Sequence, residues 1–197
     1  MSLRSQTFSL GLVIILAAIA ASAMAVLAAE LKDPLTPLKS TEGSMLCFQR
    51  DYSAEHLARH PKQTVKSVLL AFQQGFVTLV LTPRSGAPKL IGGGCDWREG
   101  ASIDTSGHKM IPNFNKAAGF DCMVVIGNSA EERGYFLIDP APDAKSLMLF
   151  LQSPIGVDSG EPGNSRGSDL TLGPQDRTFA LRRINAKACA KFKATVE

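Results

Sequence analysis

The residues whose type and spacing come nearest to a chemical function are His56 and His60, in the run Asp51-Tyr52-Ser53-Ala54-Glu55-His56-Leu57-Ala58-Arg59-His60-Pro61. Ser53 or Asp51 can cap a short helix there, Glu55 favours its first turn, and Pro61 stops it. On such a helix, positions four apart share a face, so two imidazoles could hold a metal ion, with Asp51 or Glu55 adding an oxygen ligand. No H-E-x-x-H motif is present and no third histidine lies nearby. The plainer role for histidines near a helix C-terminus is a favourable interaction with the helix dipole.

Other motifs fall away on their surroundings. Ser106-Gly107-His108-Lys109 has the letters S-x-x-K of the penicillin-recognising enzymes, but no S-D-N or K-T-G follows and the flanks read as loop. Gly92-Gly93-Gly94 is followed by Cys95, not by the Lys-Ser/Thr pair of a phosphate loop, and reads as a flexible turn before a cysteine. The acidic stretch 158–169 resembles a calcium loop in composition alone. Its third and fifth positions are Gly160 and Pro162, which bring no side-chain ligand. Trp97 and Phe114, with Phe120, could line an exposed aromatic patch around residues 96–118, or serve as core and loop anchors. Paired carboxylates that meet only in space are beyond reach of sequence. No cofactor is implied.

Four cysteines, Cys47, Cys95, Cys122 and Cys189, contain no C-x-x-C pair, which leaves neither a zinc ribbon nor a thioredoxin-type site. In an oxidising compartment they form two disulfides, with three connectivities open. The favoured pairing is Cys47–Cys189, tying the opening strand to the closing segment, with Cys95–Cys122 closing the loop between two strands. Each bridge adds about 2–4 kcal/mol.

The N-terminus points to that compartment. Arg4 is followed by an uncharged, strongly apolar run and then by Ala21-Ser22-Ala23 and Ala23-Met24-Ala25, the small-residue pattern of a signal peptide over residues 1–25. An uncleaved anchor is the alternative, since Phe8 to Ala29 carries no charge. Either way the rest of the chain is expected outside the cytoplasm, periplasmic or secreted, with no membrane span once the signal is cleaved. Without Arg4, 20 basic residues face 18 acidic ones. That balance, and the lack of a basic run, argues against nucleic acid and against a charged membrane surface.

The positioning elements are mostly strands. Glu30 to Gly43 is polar and broken by Pro34 and Pro37, so residues 26–43 read as an extended linker ahead of one domain over 44–197. Met45 to Arg50 forms a short strand. Thr64 to Phe72 alternates, with Val68, Leu70 and Phe72 on one face and Lys66 at its edge, and Gln74-Gly75 turns it into a partner over Phe76 to Thr82. Pro83 to Ile91 reads as a loose connection and 96–118 as a long surface loop. Phe120 to Ile126 places Phe120, Cys122, Val124 and Ile126 on one face. Arg133 to Ile138 and Ser146 to Leu151 pair through Asp139–Asp143, Val157 to Asp169 is a polar loop, and Arg177 to Ile184 closes with Phe179 and Leu181 inward. The fold class expected is mainly β: an antiparallel sandwich or small barrel of about seven strands, one short helix and two disulfides.

The run Cys47 to Pro61, Gly93-Gly94-Cys95 and Arg177-Thr178-Phe179-Ala180-Leu181 resembles a group of small exported bacterial proteins to which no activity is assigned. The resemblance covers most of the mature chain and implies export, not a reaction. Periplasmic lysozyme inhibitors are similar in size and class alone, without a match to their inhibitory loop. The functional expectation is a non-enzymatic periplasmic binding or interaction domain whose partner is a protein or envelope component. The alternatives are a small hydrolase assembled in three dimensions and a metal-binding protein through His56 and His60.

Overall fold

A computed structural model describes residues 33–35, 45–99, 118–126, 133–158 and 167–192. The expected signal peptide, Phe114 and the Ser106–Lys109 motif lie outside the described residues.

Alternation of apolar and polar residues builds the strands, and their register closes them. β1 (Leu46–Asp51), β2 (Val65–Gln73), β3 (Phe76–Pro83), β4 (Lys89–Glu99), β5 (Ala118–Val125), β6 (Tyr135–Pro140), β7 (Ser146–Leu151) and β10 (Thr178–Ile184) form a closed antiparallel barrel, in which each strand pairs with the next along the chain and β10 returns to β1. Of the two architectures expected, the barrel is the one adopted. Closure leaves no barrel strand with an unpaired edge. A two-stranded ribbon, β8 (Ile155–Val157) with β9 (Ser168–Leu170), is inserted between β7 and β10 and touches β4 through a bridge from Leu90 to Asp158.

The barrel interior is full. Phe48, Phe72, Phe120, Phe136 and Phe179 are each at most 1% exposed and pack with Leu70, Leu79, Leu81 and Ile138 in one cluster. Fully burying each ring removes an area worth about 1.5–3 kcal/mol from water. Residue 35, inside the stretch read as a linker, joins this cluster: Leu35 is 0% exposed.

Three local readings change. Lys66 does not share the face of Val68, because a bulge between Val65 and Ser67 shifts the register; Val65 turns inward instead and Lys66 faces solvent. Gly92-Gly93-Gly94 is not a turn but the middle of β4, which starts at Lys89 and runs through Trp97 to Glu99. A Cβ on Gly93 would lie 2.8 Å from the Phe136 ring and 2.9 Å from the Met123 carbonyl oxygen, so an inward side chain is excluded and the triplet's lack of bulk is a packing requirement. Trp97 accordingly stands on a strand, half-buried against Phe120, with ring centroids 5.1 Å apart, and Phe120 itself is buried. The Gln74-Gly75 turn is as expected, both residues at positive φ (50° and 85°), which suits a two-residue hairpin.

Both expected disulfides are present. Cys95 and Cys122 are direct cross-strand partners of β4 and β5, with Cα atoms 4.1 Å apart, and their sulfurs belong to the interior cluster. Cys47 faces outward from β1 and bridges to Cys189 in the closing 3-10 segment Ala186–Phe192, joining an outer cluster with Ala71 and Leu69. Two such bridges fit an oxidising, non-cytoplasmic environment.

Candidate functional site

Chemistry-bearing side chains gather at one mouth of the barrel, where β1 ends and β2 begins. Ser53 caps helix α1 (Ala54–Arg59) by accepting a hydrogen bond from the His56 N–H at 3.1 Å. The helix then lays its rings against the end of β1. The Arg50 guanidinium lies 5.0 Å from the Tyr52 ring centroid, Tyr52 stacks on His56 at 4.7 Å, and His56 stacks on His60 at 4.3 Å. The spacing of four therefore does bring the two histidines together, but face to face. His56 Nε2 is bonded to Gln63 Oε1 at 3.1 Å, and among the described residues no group of three or more His, Cys, Asp or Glu converges on a common point. The C-terminal carbonyls of α1 are served by Arg84, whose Nη2 donates to Leu57 O at 2.6 Å and His60 O at 2.7 Å. Arg84 thus shares the C-terminal end of the helix with His56 and Arg59 of its last turn, where the dipole favours positive charge.

Beneath the helix, Asp176 is 0% exposed. Its Oδ2 accepts from the Thr64 N–H at 2.8 Å and the Thr64 hydroxyl at 2.7 Å, and its Oδ1 accepts from the Val65 N–H at 2.9 Å. Buried Gln63 continues the network, its Nε2 donating to the Val65 carbonyl at 2.8 Å. Burial pushes the Tyr52 phenol above its ordinary value of 10.0; the Arg50 charge and hydrogen bond oppose that shift and the Asp176 charge adds to it. Most functional groups at the mouth are thus bound to one another, the buried Nε of Arg50 being the exception. Among the described residues neither imidazole is hydrogen-bonded to a serine hydroxyl, and both carboxylate oxygens of Asp176 are engaged by donors. The constellation fastens α1 and the start of β2 to the turn Pro174–Asp176.

A G-x-S-x-G sequence occurs at Gly163-Asn164-Ser165-Arg166-Gly167, and Gly163 to Arg166 lie outside the described residues. A nucleophile elbow needs a strand before the serine and a helix after it. Here the strand β9 begins at Ser168, directly after the motif, where an elbow would require a helix.

The opposite character appears on the outer face of β3–β6. Cross-strand register aligns Phe76, Gly94, Met123 and Tyr135 in one row, and Thr78, Gly92 and Val125 in the next. Phe76 (49% exposed), Met123 (39%) and Val125 (40%) are the exposed large hydrophobic residues among those described. Gly94, between Phe76 and Met123, leaves bare backbone in the floor of an open depression of about 460 Å³, which Asp96, Arg98 and Asp121 also line. This face had a sequence signal: Met123 and Val125 are apolar at the outward positions of a strand whose inward positions are Cys122 and Val124. Assigning the glycines to a turn concealed the rest. Trp97 contributes nothing to this face; its indole N–H donates to Glu99 Oε1 at 3.0 Å.

Compared with protein-family models, with curated proteins and with solved structures, the chain finds no match.

Proposed function

We propose that this chain is an exported, non-enzymatic interaction domain that works in the periplasm or outside the cell, with the outer face of β3–β6 as its contact surface. The observation that carries the reading is the division of the barrel: an interior filled by five phenyl rings, and an outer face where three large apolar side chains stay in water around a glycine floor. A scaffold with no internal room binds on its surface, and an apolar surface cluster marks a contact site. The signal-peptide pattern and the two disulfides support an extracytoplasmic setting. The partner is a protein or another envelope component.

The test compares capture from a bacterial periplasmic and envelope extract by the wild-type chain and by a Phe76→Ser/Met123→Ser variant of unchanged circular dichroism. A component retained by the wild type and lost by the variant supports the reading. Equal capture by both, or turnover of ester, peptide or glycoside substrates by the purified chain, overturns it.

A further inference from the structure

We infer that a cleft in the mouth of the barrel, separate from the outer face of β3–β6, binds a single-chain amphiphilic carboxylate, with its apolar tail among Val65, Leu81 and Leu172 and its head at Lys89.

The cleft lies where β2 and β4 start and β3 ends, beside the joint beneath α1, and its volume is about 330 Å³. The packed interior reaches it through Val65 and Leu81, both buried. One part of its lining comes from Leu170 and Leu172, at and after β9, and the other from Pro83 and the connection that leads to β4. Both parts are fixed. The Leu172 N–H donates to Ser153 Oγ at 2.9 Å, and the same hydroxyl donates back to the Leu172 carbonyl at 3.2 Å. The Arg84 N–H donates to the Thr64 carbonyl at 2.7 Å, while its guanidinium holds the end of α1. Between Arg84 and Pro88 stand Ser85, Gly86 and Ala87, whose small size leaves the space open. A preformed and mostly apolar recess at a barrel mouth is a favoured place for a small ligand.

Lys89 sets the sign of that ligand. It occupies an inward position of β4, in step with Ile91 and paired across the ladder with Leu81, so its stem lies along apolar surface. The side chain is half-buried, and among the described residues it forms no ion pair. Two carboxylates adjoin the lining without pairing with Lys89. The oxygens of Asp176 are engaged by Thr64 and Val65, and the exposed Asp158 meets Leu90 through its backbone. The buried charge of Asp176 repels a second anion on the Thr64 side, which leaves Lys89 as the place for the head. A lone ammonium at the edge of an apolar cleft complements an anion that continues into a hydrocarbon chain.

The probe is octanoate, kept below its micelle concentration and titrated into the isotope-labelled mature chain, with acetate and octylammonium as controls. Saturable shifts of the Lys89, Leu170 and Leu172 amides are expected with octanoate, and little response to either control. Lys89→Met keeps the apolar stem without the charge and should weaken octanoate about tenfold, the worth of one charge-assisted hydrogen bond. Lys89→Arg should restore most of the affinity. Ala87→Trp fills the cleft from an exposed position and should abolish binding while circular dichroism stays unchanged. Absence of saturation, equal binding of octanoate and octylammonium, or affinity indifferent to Lys89→Met overturns the inference. Shifts centred on Phe76 and Met123 would also refute it, by assigning the amphiphile to the outer face. Flotation of the chain with phosphatidylglycerol vesicles, without any response to octanoate, would show that Lys89 meets a lipid surface, against the inference.

Discussion

The mouth of the barrel and the outer face of β3–β6 use their side chains in opposite ways. At the mouth, charged and aromatic groups that look reactive in the sequence are tied to one another: Asp176 to Thr64 and Val65, His56 to Gln63, and Arg84 to the last carbonyls of α1. On the outer face, residues with no evident chemistry are left in water: Phe76, Met123 and Val125 around Gly94. Chemical richness here belongs to an internal joint, and apolar exposure to the face proposed as the contact surface. Unpaired buried polar groups cost more than exposed apolar ones. The polar cluster at this barrel end is accordingly closed in large part by its own neighbours.

The largest expected effect tests the joint. Asp176→Ala strands the buried Val65 amide and the more exposed Thr64 amide and should cost about 2–4 kcal/mol in urea unfolding. A loss below about 1 kcal/mol, the worth of one ordinary hydrogen bond, would mean that the mouth is not the closed joint described. Next comes Gly93→Ala, whose Cβ meets both the Phe136 ring and the Met123 carbonyl; overpacking of this kind costs about 1–3 kcal/mol. Wild-type stability in that variant would show that Phe136 can yield and that the interior is less full than it looks.

A third prediction concerns alkaline pH. The Tyr52 phenol is raised in the folded chain chiefly by burial. Once the pH passes the ordinary phenol value near 10, the unfolded chain has released a proton that the folded chain retains, so stability falls as pH rises further. Below that value the contribution is fully present. Tyr52→Phe should flatten this loss in urea midpoints taken on the two sides of pH 10, and absorbance titration should show one of the two tyrosines ionising late. An unaltered slope would break the link between Tyr52 and the joint.

The smallest effect sharpens the contrast most. Gly94→Val adds a β-branched residue where no atom stands within 4 Å, so stability should hold or rise by up to about 1 kcal/mol. A clear destabilisation would show that Gly94 answers to the fold like Gly93.

How much was legible varies from element to element for physical reasons. The hairpin at Gln74-Gly75 and the inward set Phe120, Cys122, Val124 and Ile126 could be read because alternation over one strand is a local property. Lys66 was misplaced because a bulge changes parity without a mark in composition. The glycine triplet was misread because turn propensity and the need for empty volume favour the same residue. His56 and His60 were rightly placed together, yet their stacking and the bond to Gln63 depend on how the helix meets the barrel mouth.

By itself, the sequence determined that this chain is mainly β, carries a signal-like N-terminus and brings four cysteines suited to an oxidising place. Those properties follow from composition and short-range period, which each segment carries wherever it ends up. Closure into a barrel rather than a sandwich was decided by pairing between β1 and β10, whose residues Cys47 and Ile184 stand at opposite ends of the domain. The same long-range register set Phe76, Gly94 and Met123 side by side. A surface made by three strands has no representation in any one of them, so its existence waited on the tertiary structure.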